Sequence, residues 1–481
     1  MDRGYHGGPV AVAVDLMVAF ASRDDDDSAL TSPRLKISRP DVGAVRVVAM
    51  KKLPLLLLAT LVPVSALQAN SWPAWRGDLT GSGVTSATEL PLEWGKEKNV
   101  RWRVDLPEAG NSTPIVHGDR IFVTQPVTPE KWRGLMCFDL KDGKLLWKNG
   151  LVYDKPETTH NTNPYCSPSP ATDGKIIVAA YGSAGVAAYD FEGKQLWHRD
   201  IGPVAHEWGT SSSPVLHGDL CFLYHGPGEG AALYAFNKAT GETVWKWDEP
   251  EWVTGPRTDG FAGKDDGIVG SFSTPILVKS SKREELVMSF PMEMKAFDPQ
   301  SGEVLWTCGG LNPLVYASPF AAGDIVVAMG GYNGNSIAVK TGGTGDVTKT
   351  HRLWHQVRHN GGIGTGVVHG DYYYYGASVV SCMEIKTGKE VWKSRLPEAG
   401  GSWGSYLLAG DRIYALSQKG STAIFRATPE KLDVIGESDL GEHTNSSPVP
   451  AGKALIIRTH EGLWCIGAEG LEKPHRTDLG R

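Results

Sequence analysis

Four histidines, His160, His206, His359 and His443, stand in polar, irregular stretches that separate apolar, strand-like runs. Carboxylates, amides and indoles share these stretches. Glu108 goes with Asn111, Asn161 and Tyr165 with His160, and Glu207 and Trp208 with His206. Further on come Arg257 and Asp259, Asn312 and Tyr316, Arg358 and Asn360 around His359, Glu398 with Trp403, and Glu442 and Asn445 around His443. A histidine beside a carboxylate suits proton transfer or metal ligation, and indoles beside amides suit a ligand pocket. Taken singly, each of these groups reads as a side chain that satisfies loop backbone and faces water. They become a site only if the fold brings the stretches to one place.

The runs between them repeat. "LMCFDLKDGKLLWK" (135–148), "VAAYDFEGKQLWHR" (186–199), "EMKAFDPQSGEVLWTC" (293–308) and "VSCMEIKTGKEVWK" (380–393) each give an apolar strand, a Gly-containing turn and a second strand with Trp. That is a hairpin whose Gly supplies the turn's positive φ. A second hairpin precedes each: "STPIVHGDRIFVTQ" (112–125), "SPSPATDGKIIVAA" (167–180) and "SSPVLHGDLCFLYH" (212–225) are three copies. Proline at the first strand position costs the ladder little. Each unit is therefore four antiparallel strands.

Counting from the openers Pro114, Pro168, Pro214, Pro275, Pro319, Gly366, Tyr406 and Pro448 gives eight units at intervals of 54, 46, 61, 44, 47, 40 and 42. That spacing predicts an all-β, eight-bladed β-propeller of four-stranded antiparallel blades. Trp147, Trp197, Trp245, Trp306, Trp354 and Trp392 close units one to six as structural docking residues, and Ile435 replaces Trp in the seventh. The eighth unit stops at "GLWCIGAEG" without a fourth strand. "NVRWRVDLP" (99–107) carries Trp102 with no hairpin before it, so this N-terminal strand is expected to close the last blade. The links between blades then deliver their side chains to one channel mouth. The candidate mouth residues are Glu108, Asn111, His160, Asn161, His206, Glu207 and Trp208, followed by Asp259, Arg358, His359, Asn360, Trp403, His443 and Asn445.

Composition narrows the partners. A net charge of −6 with no basic stripe excludes nucleic acid as an expected partner. The six cysteines show neither CxxC nor zinc spacing, and Cys137, Cys382 and Cys465 fall where sister segments carry small residues. The segment Met50 to Ala69, "MKKLPLLLLATLVPVSALQA", has the basic start, apolar run and small residues of a signal peptide and is too short for a membrane span. Residues 1–49 are expected to be a mis-assigned or disordered extension, 70–98 a leader, 99–470 the propeller and 471–481 a tail. The protein is expected to be exported, periplasmic or extracellular, and soluble. No Cys follows the apolar run, so a lipid anchor is not supported.

"AFNKATGETVW" (235–245) and "AFDPQSGEVLW" (296–306) resemble the docking motif of the PQQ-like, quinoprotein alcohol dehydrogenase-like eight-bladed propellers. "SWPAWRGDLTGSGV" (71–84) is similar to the leader of exported members, and the resemblance covers about residues 71–470. It implies two functions. One is a non-catalytic binding or scaffold module, similar without the anchor to the propeller subunit of the outer-membrane β-barrel assembly machinery. The alternative is a PQQ- and calcium-dependent oxidoreductase. That alternative implies a floor Trp, for which Trp208 or Trp403 offers, a disulfide of adjacent cysteines, a cation at Glu108 and Asn111, and an aspartate base. The chain has no adjacent cysteine pair. The acidic link from Asp248 to Gly270 offers Asp259, Asp265 and Asp266 to calcium without EF-hand spacing. A protein partner, a small molecule or a glycan is the expected ligand of the mouth, the last suggested by Trp208, Trp403 and Tyr165.

Overall fold

The computed structural model describes residues 71–254, 257–263, 268–359, 361–397, 400–467 and the strand 475–477. The expected extension and signal peptide lie outside the described residues, as do Asn360, Asp265, Asp266 and Glu398.

Eight antiparallel sheets surround a central channel, each running from an inner strand to an outer one. The third blade is typical, with Val215–His217, Leu220–His225, Ala232–Asn237 and Thr243–Asp248 in spatial order. Its second and third strands are buried on both faces because neighbouring blades cover them, so they read as continuous apolar runs. The outer strand is largely exposed and keeps Trp245 buried.

Ring closure follows the sequence expectation. In the eighth blade Val449–Ala451, Ala454–Arg458 and Gly462–Ile466 are completed by Val100–Asp105, with Trp102 opposite Cys465 and Arg103 opposite Trp464. The strand His475–Thr477 adds outside it in parallel, so part of the expected tail belongs to this sheet. The second blade opens at Ala171–Thr172, which makes Pro170 rather than Pro168 its opener.

The tryptophans act between blades. Each indole N–H of Trp102, Trp147, Trp197, Trp245, Trp354 and Trp392 donates to a carbonyl of the following blade, at 2.8–3.0 Å. In the best-preserved copies the ring lies on the next blade's turn glycine. A Cβ on Gly241, at φ +71°, would stand 2.6 Å from the Trp197 ring. Ala188, Ala235 and Ala338 are the Cα partners of Trp197, Trp245 and Trp354, and Cys137, Cys382 and Cys465 take that place opposite Trp147, Trp392 and Trp102. These cysteines are buried small residues.

Two interfaces depart from the pattern. Trp306 gives its N–H to Glu285 Oε2 at 2.9 Å, and the same carboxylate accepts the Gly342 N–H of the next blade. Glu285 is fully buried and offset by Arg283 at 3.2 Å. Where Ile435 replaces Trp, the leader supplies the bulk: Leu90 and Trp94 enter the buried cluster that holds Ile435, Leu440 and Trp464.

The leader also closes the channel. Trp72 pairs with Val116 in the first blade, and the carbonyls of Pro73, Leu79, Thr80 and Gly83 accept the N–H groups of Thr172, Leu277, Ala321 and Leu408 from the inner strands of blades two, four, five and seven. Arg76, buried on the channel axis side, donates to Thr365, Gly366 and Tyr406 carbonyls of blades six and seven. One short segment thus ties six blades together.

Candidate binding site at the channel mouth

The residue two positions before each inner strand carries a hydroxyl: Thr113, Ser169, Ser213 and Thr274 in the first four blades, Ser318, Thr365, Ser405 and Ser447 in the others. Their backbone N–H groups and side chains form a belt. Thr113 N–H donates to Ser169 Oγ (2.9 Å), Ser169 to Ser213 (2.9 Å), Ser213 to Thr274 (3.0 Å) and Thr274 to Ser318 (2.8 Å). On the far side Thr365 N–H donates to Ser405 Oγ (3.0 Å), Ser405 to Ser447 (2.9 Å) and Ser447 back to Thr113 (3.1 Å). The remaining junction is a bond from Thr365 Oγ1 to the Ser318 carbonyl at 3.2 Å. Backbone donors that point across blade gaps have no strand partner, so a hydroxyl acceptor at each is the economical solution.

Above the belt lies a cavity of about 400 Å³. Seven belt hydroxyls and the leader residue Trp75 line its lower part. Its two sides differ in chemistry. Trp208, Phe272, Tyr316 and Tyr332 form one wall, with Trp403 and Ile363 beyond them. The short parallel ladder Gly270–Ser271 with Leu314–Val315 sets this wall, because the next residues, Phe272 and Tyr316, emerge side by side with rings 5.8 Å apart and 8° from parallel. Trp208 stacks on Tyr316 at 5.9 Å, and His206 supports it from behind by accepting its backbone N–H at 3.1 Å. Burial lowers the pKa of that imidazole, which favours its neutral form.

The opposite side is amide-rich. Asn445 Nδ2 donates to Asn111 Oδ1 (3.2 Å) and to the Thr162 carbonyl (3.2 Å), Asn111 Nδ2 to the same carbonyl (2.9 Å), and Asn163 Nδ2 to the Trp208 carbonyl (2.7 Å). These amides spend their donors in holding the links of blades eight, one, two and three together. His160 Nδ1 accepts the Thr162 N–H at 3.3 Å, so in the neutral ring Nε2 carries the hydrogen.

Of the sequence candidates, Asn111, His160, Trp208, Trp403 and Asn445 line the cavity. The others are placed elsewhere. Glu108 accepts Thr128 N–H and Oγ1–H at 2.9 and 2.8 Å, and Asn161 and Glu207 are exposed. Asp259 is buried in an ion pair with Arg257 at 2.7 Å, so its charge is already answered. Arg358 donates to the Thr258 carbonyl at 2.9 Å. His359 is buried between Ser336 Oγ (2.8 Å) and the Tyr375 hydroxyl, with its pKa lowered to about 4 by burial and by Lys393. His443 packs edge-on against His460, 4.5 Å between rings. Tyr165 lies under Arg133, away from the cavity. Phe261, Phe272, Tyr332, Trp75 and the belt were missed as site residues. The belt had a signal, the Ser or Thr before each strand opener.

The fold and its mouth define an eight-bladed PQQ-like propeller. The chain belongs to the family whose model, described as "Outer membrane protein assembly factor BamB", matches residues 84–262 and 134–394. It is 24% identical over 324 residues to the outer membrane protein assembly factor BamB of Burkholderia pseudomallei (strain K96243), covering 67% of this chain and 65% of that one. It is 23% identical over 199 residues to a polyvinylalcohol dehydrogenase of a Pseudomonas species, covering 38% and 30%. The match therefore spans less than two thirds of either relative. Among solved structures, the quinohemoprotein alcohol dehydrogenase from Comamonas testosteroni superposes with a TM-score of 0.64 at 11% identity, over 87% of this chain and 83% of that one, a likeness of fold.

The lining does not fit PQQ with calcium. Calcium takes six to eight oxygen ligands, carboxylates among them. The described lining holds no carboxylate and no Lys or Arg to answer the cofactor's acid groups. No group of three or more His, Cys, Asp or Glu among the described residues is arranged to hold a metal. The six cysteines are separate, buried thiols.

Proposed function

We propose that the protein is an exported, non-catalytic binding or scaffold module in which the propeller presents a preformed ligand cavity at one channel mouth. The observation that carries this reading is the lining itself: half-buried aromatic rings, hydroxyls and amides, without an ionised side chain among the described residues. Acid–base and metal chemistry need titratable groups within reach of a reactant, and among the described lining residues only His160 and the phenols of Tyr316 and Tyr332 stand there, with no carboxylate beside them. The name of the Burkholderia relative supports a role beside an outer membrane, and the apolar segment at Met50 supports export. No helix of the described residues is long and apolar enough to cross a membrane. A protein partner on the rim is consistent with the same relative.

The test is addition of PQQ and Ca²⁺ to the purified protein, followed by thermal denaturation and by alcohol-dependent dye reduction. A ligand that binds only the folded state must raise Tm. Unchanged Tm and no dye reduction are expected. A saturable rise in Tm with turnover would restore the oxidoreductase reading.

A further inference from the structure

We propose that the mouth cavity is a binding site for a neutral saccharide, an inference that rests on the binding-module reading and names its ligand. Four features of the cavity point the same way.

First, the aromatic wall is incompletely covered. Trp75, Trp208, Tyr316, Tyr332 and Trp403 are each half-buried around one concave space. Concave, water-facing aromatic surface is what a ligand covers. A sugar ring offers a flat patch of C–H groups whose positive hydrogens suit the negative face of an indole or phenol.

Second, the belt below is rich in unused hydrogen-bonding capacity. The hydroxyls of Ser169, Ser213, Thr274, Ser318, Ser405 and Ser447 each accept a backbone N–H, and none donates to another described protein atom. Each retains one hydrogen to give and one lone pair to offer. Sugar hydroxyls, which both give and accept, match a ring of such groups.

Third, the lining is uncharged. Enclosing a carboxylate or phosphate without a countercharge costs several kcal/mol, whereas exchange of a sugar hydroxyl from water to these hydroxyls is near balance. The buried guanidiniums close by do not line the cavity: Arg257, over the Phe261 ring, is paired with Asp259 at 2.7 Å. Arg76 gives its hydrogens to leader and inner-strand carbonyls, and Arg458 gives two to the Thr124 carbonyl and Gln125 Oε1. Fourth, 400 Å³ falls within the range of about 300–1,000 Å³ for small-molecule sites, room for a small saccharide.

The experiment is a titration of the intact protein with cellobiose, maltose and N,N′-diacetylchitobiose, read by tryptophan fluorescence and calorimetry, with glucuronic acid as an acidic control. Saturable binding of at least one neutral disaccharide is expected, insensitive to salt. Trp403→Ala should weaken it about tenfold at unchanged Tm, and Trp403→Phe, which keeps a ring, should weaken it less. The proposal is overturned if no neutral disaccharide binds, if glucuronic acid alone binds, or if Trp403→Ala leaves the affinity unchanged while the protein is folded. Loss of the saccharide without dye reduction by PQQ and Ca²⁺ removes the ligand class only; turnover with that cofactor removes the binding-module reading as well.

Discussion

Arg76 Nη2 lies 2.6 Å from the carbonyl oxygen of Gly366, a residue 290 positions further along the chain. The same guanidinium reaches the carbonyls of Gly81, Ser82, Thr365 and Tyr406 at 2.7–3.2 Å. Among the described residues it has no carboxylate within ion-pair distance, and desolvation by burial lowers its pKa to about 10, which leaves it charged at neutral pH. The cation is held chiefly by peptide dipoles, with the Trp75 ring 5.7 Å from its centre and the Asp78 charge acting from further off.

Removal of this group takes a donor from five carbonyl oxygens, of which Thr365 keeps the Tyr406 N–H while Gly81, Ser82, Gly366 and Tyr406 lose the bond Arg76 gave them. Arg76→Met, which keeps much of the volume, is expected to destabilise the protein by about 3 kcal/mol or more, measured by urea denaturation. Arg76→Lys should recover little, because an ammonium has three donors and no planar fork. A loss below about 0.5 kcal/mol, the level of an ordinary surface substitution, would show that the leader does not fasten the ring.

Trp102 closes the ring and is almost fully buried, whereas Trp392 makes the equivalent bond between blades six and seven while half-buried. Trp102→Ala is expected to cost about 3–5 kcal/mol and Trp392→Ala distinctly less. Comparison of the two midpoints in one denaturant series checks this. Equal costs would place no special weight on the junction between the first and last blades.

Acid should loosen the fifth and sixth blades. The pKa of His359 falls from 6.5 to about 4 in the folded chain, so the unfolded chain binds the proton more readily between those values. Its stabilising contribution is complete above pH 6.5 and is lost progressively as pH falls toward 4, by on the order of 3 kcal/mol in all. His359→Gln is expected to flatten the dependence of Tm on pH in that window. An unchanged slope would mean that other groups carry the acid sensitivity.

The ring was legible because its glue is periodic. Trp recurs opposite a small residue and above a turn glycine, and even the missing strand announced itself through Trp102. The Pro168 opener slipped by two residues because "SPSP" offers two prolines, and only the belt fixes which Ser is in register. The leader's course was hidden for a physical reason. Its bonds to blades two, four, five and seven come from main-chain carbonyls, which every sequence possesses, so no side-chain pattern marks them. The cavity was half legible: Asn111, His160, Trp208, Trp403 and Asn445 from the predicted links line it, but which side chains turn inward depends on local pairing. Phe272 and Tyr316 become neighbours through two pairs of parallel residues, and His359 turns away toward Tyr375.

Trp75 and the leader beneath it make the mouth a cul-de-sac. Whatever enters must back out by the route it came, so a long polymer cannot be threaded through the ring and slid along it. A saccharide held there would meet the aromatic wall with a chain end rather than with a stretch from its middle.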